Sequence, residues 1–391
     1  MKKFGYLMGA ALLTLGSCTN EINEEGFVDK ANTISFNAYS NKTRANITGD
    51  VTSENMKGDN FGVFGYFNKS PYLFKKDGEI YKAVEQYWKS SSEGNNGSWE
   101  YQTSSELKFW PNGSMDFYAF FPYSDNATFV ESIASGENET SADVMTIPGT
   151  SCAHDVLFTK TSTSIVERVP LTFHHAFSRI KGLNIKVNGG NVGEANVEVT
   201  VKEIEFINTS TSGDIKVNAN GNASYKVAST NIPVKKTFDA NTTISKSLQD
   251  GVNLISDADC KYLFATNSSV TNSVIGTAKT MWDGTKTSLT EGKTLETLGQ
   301  VCLKLTCKVK DNTHYIVGDA NTDGVVYIPL TGTHSNQNSV TTFDAGKRYT
   351  YNIVFSHNVG YDVNGDPILN PILFNVSSVD TWEDVNVTIT L

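Results

Sequence analysis

The sequence predicts an all-β protein made of antiparallel β-sandwiches, and three observations carry that expectation. Apolar residues alternate with polar ones in runs rich in β-branched and aromatic types; no helical apolar period is sustained; and clusters of Gly, Asn, Ser and Thr separate the runs. Alternation at period two is what a strand with one face on a core requires, because successive side chains point to opposite faces.

The amino terminus stands apart from this pattern. Lys2 and Lys3 precede an apolar run from Phe4 to Leu15 and the small residues Gly16 and Ser17, which is a secretory signal over residues 1–17. The run is shorter than the ~20 residues of a spanning helix. Leu15-Gly16-Ser17-Cys18 resembles a lipobox, with an ordinary signal peptide and a chance cysteine as the alternative. The lipobox reading implies cleavage before Cys18, a diacylglyceryl group on its thiol, and a further acyl chain such as palmitate on the new terminus. Several acyl chains on one residue hold a membrane firmly where one does not. Residues 18–33 form a polar, acidic tether through Thr19-Asn20-Glu21-Ile22-Asn23-Glu24-Glu25-Gly26. That stretch is similar to the acidic segment behind the lipidated cysteine of surface-exposed lipoproteins, so the expected location is the outer membrane, lipid-anchored and facing outward.

The body divides by composition. A polar, Ser/Thr-rich break at Thr159 to Glu167 separates an expected first domain, residues 34–163, from a second, residues 164–391. Strand-like runs include Phe61 to Phe67, Asp116 to Phe121, Leu183 to Val187, Val197 to Val201, Ile372 to Val376 and Val385 to Leu391. The clearest is Val169-Pro-Leu171-Thr-Phe173-His-His175-Ala-Phe177. Strand geometry puts His174 and His175 on opposite faces, so they cannot readily share one metal ion. The first domain is dense in aromatics, among them Phe61, Phe64, Tyr66, Trp88, Trp99, Trp110, Phe117 and Phe120. These residues are core and cross-strand packing, or an aromatic ligand platform.

Charge and cysteine usage narrow the function. The net charge is −10, and more negative still once Lys2 and Lys3 leave with the signal, with no basic run anywhere. Nucleic acid is therefore excluded as a partner, since it needs clustered Lys and Arg. An oxidising envelope permits disulfides among Cys152, Cys260, Cys302 and Cys307, but their spacing forms no framework. Cys302 and Cys307 point to opposite faces of one strand, Cys307 with the apolar Val301, Leu303 and Leu305. No spacing suggests zinc.

Asp319-Ala-Asn321-Thr-Asp323-Gly324 matches the opening of a calcium loop, but its twelfth position is Leu330 rather than a bidentate Glu, which leaves an Asx-rich hairpin turn as the simpler reading. Asp362-Val-Asn364-Gly-Asp366 is a weaker match. No nucleophile elbow, zincin helix or phosphate-binding loop is present, and among 42 acidic residues none can be singled out as a catalytic pair. The expectation is a protein that is not an enzyme and needs no cofactor.

An ordered set of short motifs then carries a resemblance. Ile34-Ser-Phe36 is followed by Thr43-Arg44-Ala45, Phe61-Gly-Val-Phe-Gly-Tyr66, Phe109-Trp-Pro111 and Met115-Asp-Phe-Tyr-Ala-Phe-Phe-Pro122. Asp155-Val-Leu-Phe158, Val169-Pro-Leu-Thr-Phe-His-His-Ala-Phe-Ser-Arg-Ile180 and Val376-Ser-Ser-Val-Asp-Thr-Trp382 complete it. In this order the chain resembles the fimbrillins of Bacteroides-type bacteria, the subunits of type V pili. The resemblance implies two tandem transthyretin-like sandwich domains and a role in cell adhesion. It further implies a trypsin-like protease that cuts behind the first strand, and assembly with other pilus subunits by strand exchange.

Carried onto this sequence, the cut falls between Arg44 and Ala45, and the displaced strand is Thr33 to Tyr39. Arg44 lies in the polar, loop-like Ser40-Asn-Lys-Thr-Arg-Ala-Asn46, where it is a cleavage site or a plain surface arginine. The donor-strand candidate is residues 384–391, with Val385, Val387, Ile389 and Leu391 at period two. Its alternative is the last strand of the second domain's own sheet. Stalk, anchor and tip roles stay open, as does a surface lipoprotein that binds carbohydrate or another ligand without polymerising.

Overall fold

The computed structural model describes residues 33–40, 51–91, 97–134, 142–187, 197–209, 212–227, 234–245, 251–255, 261–264, 281–284, 292–311, 313–330, 342–355, 360–368, 373–376 and 383–390. The architecture over these residues is almost entirely β, as the alternating runs require.

The first half is organised by one eight-stranded sheet. Its order is Phe36–Ser40, Val169–His175, Leu157–Thr163, Met115–Phe121, Phe61–Phe67, Val84–Ser90 and Gly97–Tyr101, with Ser70–Leu73 also on Phe61–Phe67. The two central strands are buried on both faces. Phe61, Val63, Phe117, Ala119 and Phe121 point into one core, together with Leu171 and Phe173. Phe64, Tyr66, Tyr118 and Phe120 point into another. That second core is closed by a four-stranded sheet, Ala223–Val227, Ser212–Asn218, Asp143–Ser151 and Thr128–Phe129. The high aromatic content of the first half follows from filling both cores, each aromatic ring burying a large apolar area. The glycines of Phe61–Phe67 belong to the same packing: a Cβ on Gly62 would lie 2.5 Å from the Phe120 ring, so only a bare backbone fits there.

The second half is a sandwich of two sheets. One has the order Val252–Asn253, Phe177–Val187, Lys347–Phe355, Glu383–Thr390 and Leu373–Val376, with Lys261–Phe264 on Phe177–Val187. The other has the order Val234–Ser245, Val197–Ile207, Cys302–Asp311 and His314–Val317, with Gly324–Ile328 on Cys302–Asp311. Leu183, Ile185, Tyr351 and Ile353 from the first sheet meet Val199, Val201, Leu303 and Leu305 from the second in one apolar core.

Three features depart from the sequence expectation. First, not every pairing is antiparallel: Phe36–Ser40 runs parallel to Val169–His175, Phe177–Val187 to Lys347–Phe355, and Lys347–Phe355 to Glu383–Thr390. Alternation reports which face is buried and is blind to strand direction. Second, the division expected after Thr163 falls inside the eight-stranded sheet. The polar break is a surface turn, with Ser164, Ile165, Glu167 and Arg168 exposed between Leu157–Thr163 and Val169–His175, and the chain leaves the sheet only at Ala176. Third, the Ser212–Asn218 and Ala223–Val227 hairpin lies far along the chain yet completes the four-stranded sheet of the first half.

Both Cys302 and Cys307 are fully buried, although they sit on opposite faces, because Val301, Cys302 and Leu303 begin a strand covered on both sides. Cys302 and Cys307 are free thiols, Cys152 is buried, and Cys260 lies outside the described residues. Burial pushes the Cys307 thiol up to about 12 and the Cys302 thiol higher still.

Candidate functional site

The first strand and the slot it fills are the candidate site. Residues 34 to 38 alternate as a half-buried strand must: Ile34, Phe36 and Ala38 are buried, at 0%, 1% and 9% exposure, while Ser35 and Asn37 are half-exposed. Phe36 is the largest of the three anchors. Its ring centroid stands 6.3 Å from Phe61, 5.6 Å from Phe117 and 6.3 Å from Tyr101. Burying side chains of this size contributes about 1.5–3 kcal/mol each.

The backbone of the strand is held on one side. Phe36 to Ser40 pair in register with Val169 to Phe173, and Val169 N–H donates to the Ser35 carbonyl at 2.7 Å. In a parallel ladder alternate residues bond the same neighbour, so Ser35, Asn37 and Tyr39 face Val169–His175 while Ile34, Phe36 and Ala38 face away. On that far side Ile34 N–H donates to the Lys108 carbonyl at 2.9 Å, and the Tyr101 hydroxyl donates to the Ile34 carbonyl at 2.8 Å. Among the described residues, no backbone partner completes that edge at Phe36 or Ala38.

Among the described residues, a second open edge stands opposite. Gln102 N–H donates to the Glu85 carbonyl at 3.0 Å, which sets the alternation so that Ser98 and Glu100 face Val84–Ser90 while Trp99 and Tyr101 face outward. That outward edge comes within 8 Å of the first strand, Cα to Cα, without pairing to it. At the amino-terminal end of the seam is a cavity of about 340 Å³ between Thr33–Ser35, Ser98–Tyr101 and Arg168. Among the described residues the first strand is therefore wedged into an aromatic core, with a ladder along one edge and, beyond the bonds at Thr33 and Ile34, an open edge facing it along the other.

The remaining candidate residues are placed as follows. Cys18, Arg44, Ala45 and Leu391 lie outside the described residues. Val385, Val387 and Ile389 fall on Glu383–Thr390, which pairs parallel with Lys347–Phe355 from Lys347↔Glu383 to Val354↔Thr390, and antiparallel with Leu373–Val376. Both of its edges are occupied, in contrast to the first strand.

Asp319 turns back on its own loop, its Oδ1 accepting from Asn321 N–H (2.7 Å) and Thr322 N–H (2.8 Å), and Asp323 pairs with Lys202 at 3.2 Å. Asp362 Oδ1 likewise accepts from Asn364 N–H and Asp366 N–H. Among the described residues, no three His, Cys, Asp or Glu side chains gather as a metal site. His174 is exposed and His175 buried, His175 Nδ1–H donating to Asp155 Oδ2 at 2.7 Å; the same oxygen accepts from Val51 N–H at 3.1 Å. This pair anchors the chain at Val51, where the described residues resume after the first strand.

Sequence reasoning missed Tyr101 and Lys108, which hold Ile34, and Gln86, whose side-chain amide is buried. Tyr101 carried a signal, since it extends the alternation Trp99-Glu-Tyr101; Lys108 acts through its backbone and carried none.

The chain has structural relatives of low identity. It is similar to a fimbrial protein from Bacteroides vulgatus, with 14% identity, 92% of this chain and 97% of that chain covered, and a TM-score of 0.43. It is also similar to a fimbrilin from Porphyromonas gingivalis, with 12% identity, 92% and 96% covered, and a TM-score of 0.36. Among proteins with curated descriptions none matches. The family model described as fimbrillin-like matches residues 43–366, most of the sequence, and the chain belongs to that fimbrillin-like family.

Proposed function

We propose that, within the pilus or adhesion role that membership of the fimbrillin-like family carries, this chain is a structural subunit of a cell-surface pilus assembled by strand exchange. The precursor is lipid-anchored at Cys18, a trypsin-like protease cuts between Arg44 and Ala45, the first strand leaves, and a strand from a neighbouring subunit takes its slot. The family is structural and adhesive in kind rather than enzymatic.

The observation that carries this reading is the first strand itself. It supplies three buried apolar side chains to a core, yet among the described residues its ladder runs along one edge, the other edge being bonded only at its amino-terminal end through Thr33 and Ile34, and it ends at Ser40, shortly before Arg44. A cut after Arg44 severs its covalent link to the body. The strand is then held by side-chain burial and one ladder, and its departure leaves apolar sites beside an unpaired edge, the two requirements for β-augmentation.

The test is to treat the purified precursor with a trypsin-like protease, and then follow its amino terminus by mass spectrometry and its size by light scattering. The expected result is a terminus at Ala45, loss of the first strand, and polymers. No preferential cut after Arg44, or a cut that releases the strand without any association of subunits, refutes the reading.

The pairing of Glu383–Thr390 on both edges favours a second reading, an end subunit that accepts a strand and keeps its own. Deletion from Val385 onward separates the two. A folded monomer that no longer extends the polymer marks 384–391 as the donor strand; an unfolded one marks it as part of its own sheet.

A further inference from the structure

Phe61, Gln86 and Tyr101 lie in register on three adjacent strands, Phe61 opposite Gln86 and Gln86 opposite Tyr101. Neighbouring strands are about 4.8 Å apart, so the outer two residues of this row are separated by roughly 10 Å at the backbone. The Phe36 ring is 6.3 Å from both outer rings, between the two residues that flank Gln86 in the row. Gln86 is fully buried, and neither atom of its side-chain amide has a hydrogen-bond partner among the described residues. Phe36 offers it only carbon. Beyond Phe117, 5.8 Å from that ring, the indole of Trp110 holds another buried donor, Nε1, with no described partner.

Resting on the strand-exchange reading, we infer that the slot selects an entering strand with an aromatic side chain, tyrosine above all, at the Phe36 position, and so takes its donor from a different subunit. The three sites left by Ile34, Phe36 and Ala38 run from large aliphatic through aromatic to small. The chain's own segment with Val385, Val387, Ile389 and Leu391 has no aromatic in its apolar alternation. In any register it leaves a void under the aromatic ring's place or overfills the site of Ala38, and both faults weaken packing. A tyrosine fills the ring site and adds a hydroxyl that can donate and accept, which is what an unpaired amide lacks. A buried polar group without a partner is penalised until it finds one, so the hydroxyl adds affinity that phenylalanine cannot.

The test uses the full chain with a specific protease site placed between Ser40 and Arg44, so that a nick leaves the first strand held without a covalent link. Competing peptides carry the Thr33 to Tyr39 sequence, its Phe36→Tyr and Phe36→Val versions, and the 384–391 sequence. Displacement of the amino-terminal fragment is followed by native mass spectrometry. The Phe36→Tyr peptide is expected to compete about 5-fold better than the parent, as one net hydrogen bond gives. The Phe36→Val and 384–391 peptides are expected to compete about 100-fold worse. In Gln86→Leu, and in Gln86→Met should the leucine variant fold poorly, the tyrosine advantage disappears.

Equal competition by the 384–391 or Phe36→Val peptide overturns the aromatic selection and leaves strand exchange standing. A tyrosine advantage that survives in both Gln86 variants overturns the role of the amide. Failure of every peptide, the parent included, to displace the fragment overturns strand exchange and the inference with it.

Discussion

Replacing Gln86 by leucine is expected to stabilise the intact chain, against the rule that core substitutions harm. Gln86 is 0% exposed, and both its amide oxygen and nitrogen lack partners among the described residues. An unpaired buried donor or acceptor costs about 1–3 kcal/mol, so the two together set a ceiling of about 6 kcal/mol. Partial relaxation of the site and the imperfect fit of a branched side chain offset much of that, which leaves about 2 kcal/mol of expected gain. Leucine has nearly the volume of glutamine, and its neighbours in the row, Phe61 and Tyr101, offer apolar surface. Urea unfolding followed by tryptophan fluorescence reads this core directly, because the Trp88 and Trp99 rings pack 5.5 Å apart beside it. With a slope of about 2 kcal/mol per molar, the midpoint rises by about 1 M and the slope is unchanged. Gln86→Ala, which also removes the unpaired groups but leaves a void, is expected to gain less or to lose stability. A Gln86→Leu midpoint below that of the natural chain would mean that the amide makes hydrogen bonds in the folded protein, and the reasoning would fail.

Four further outcomes are expected. Phe36→Ala lowers the stability of the intact chain by about 3–5 kcal/mol in the same urea assay, because it empties the site between Phe61 and Phe117, and a loss under 1 kcal/mol would mean the ring is not an anchor. Tyr101→Phe removes the donor to the Ile34 carbonyl and, in the nicked chain, speeds release of the amino-terminal fragment by roughly 5-fold, read by stopped dilution into competing peptide. Asp155→Ala leaves His175 Nδ1–H and Val51 N–H without their shared acceptor and is expected to cost about 3 kcal/mol, seen as a lowered thermal midpoint; an unchanged midpoint refutes it. Cys302 and Cys307, buried with thiols raised far above neutral pH, are expected not to react with a thiol reagent at pH 8 until urea unfolds the chain, whereas rapid labelling of either in the folded protein would contradict its burial.

Much of the fold was legible from the sequence because alternation reports burial. Val169–His175 shows it plainly: Val169, Leu171 and Phe173 are buried, His174 is exposed, and His175 is turned inward. What alternation cannot report is which strands meet. The Ser/Thr-rich stretch at Thr159 to Glu167 looked like a linker, but composition does not distinguish a linker from the exposed turn between two strands of one sheet. Position in the chain assigns the Ser212–Asn218 strand to the second half, and only its long-range pairing with Asp143–Ser151 returns it to the first. At the site, the apolar side of the first strand was readable in Ile34-Ser-Phe36. Its parallel partner and the buried amide of Gln86 were not, since both depend on register across more than one strand.

On the strand-exchange reading, that register also explains how one strand can be both core and expendable. The eight-stranded sheet has two buried faces, and the first strand contributes to only one of them. The other face is closed by Asp143–Ser151 and by the hairpin of Ser212–Asn218 and Ala223–Val227, which brings Ile215, Val217 and Tyr225 against Phe64, Tyr66 and Tyr118. None of those contacts passes through residues 33–40. Loss of the first strand opens one core along a single seam and leaves the second closed, so the emptied subunit keeps a folded frame that holds Val169–His175 and the outward edge of Gly97–Tyr101 in place. A slot kept open by an independent core can wait for a strand; a slot whose walls depended on the departing strand would collapse. On the strand-exchange reading, the late hairpin reaching back across the chain is therefore the element that lets the first strand leave, because the core it closes is not the one the strand fills.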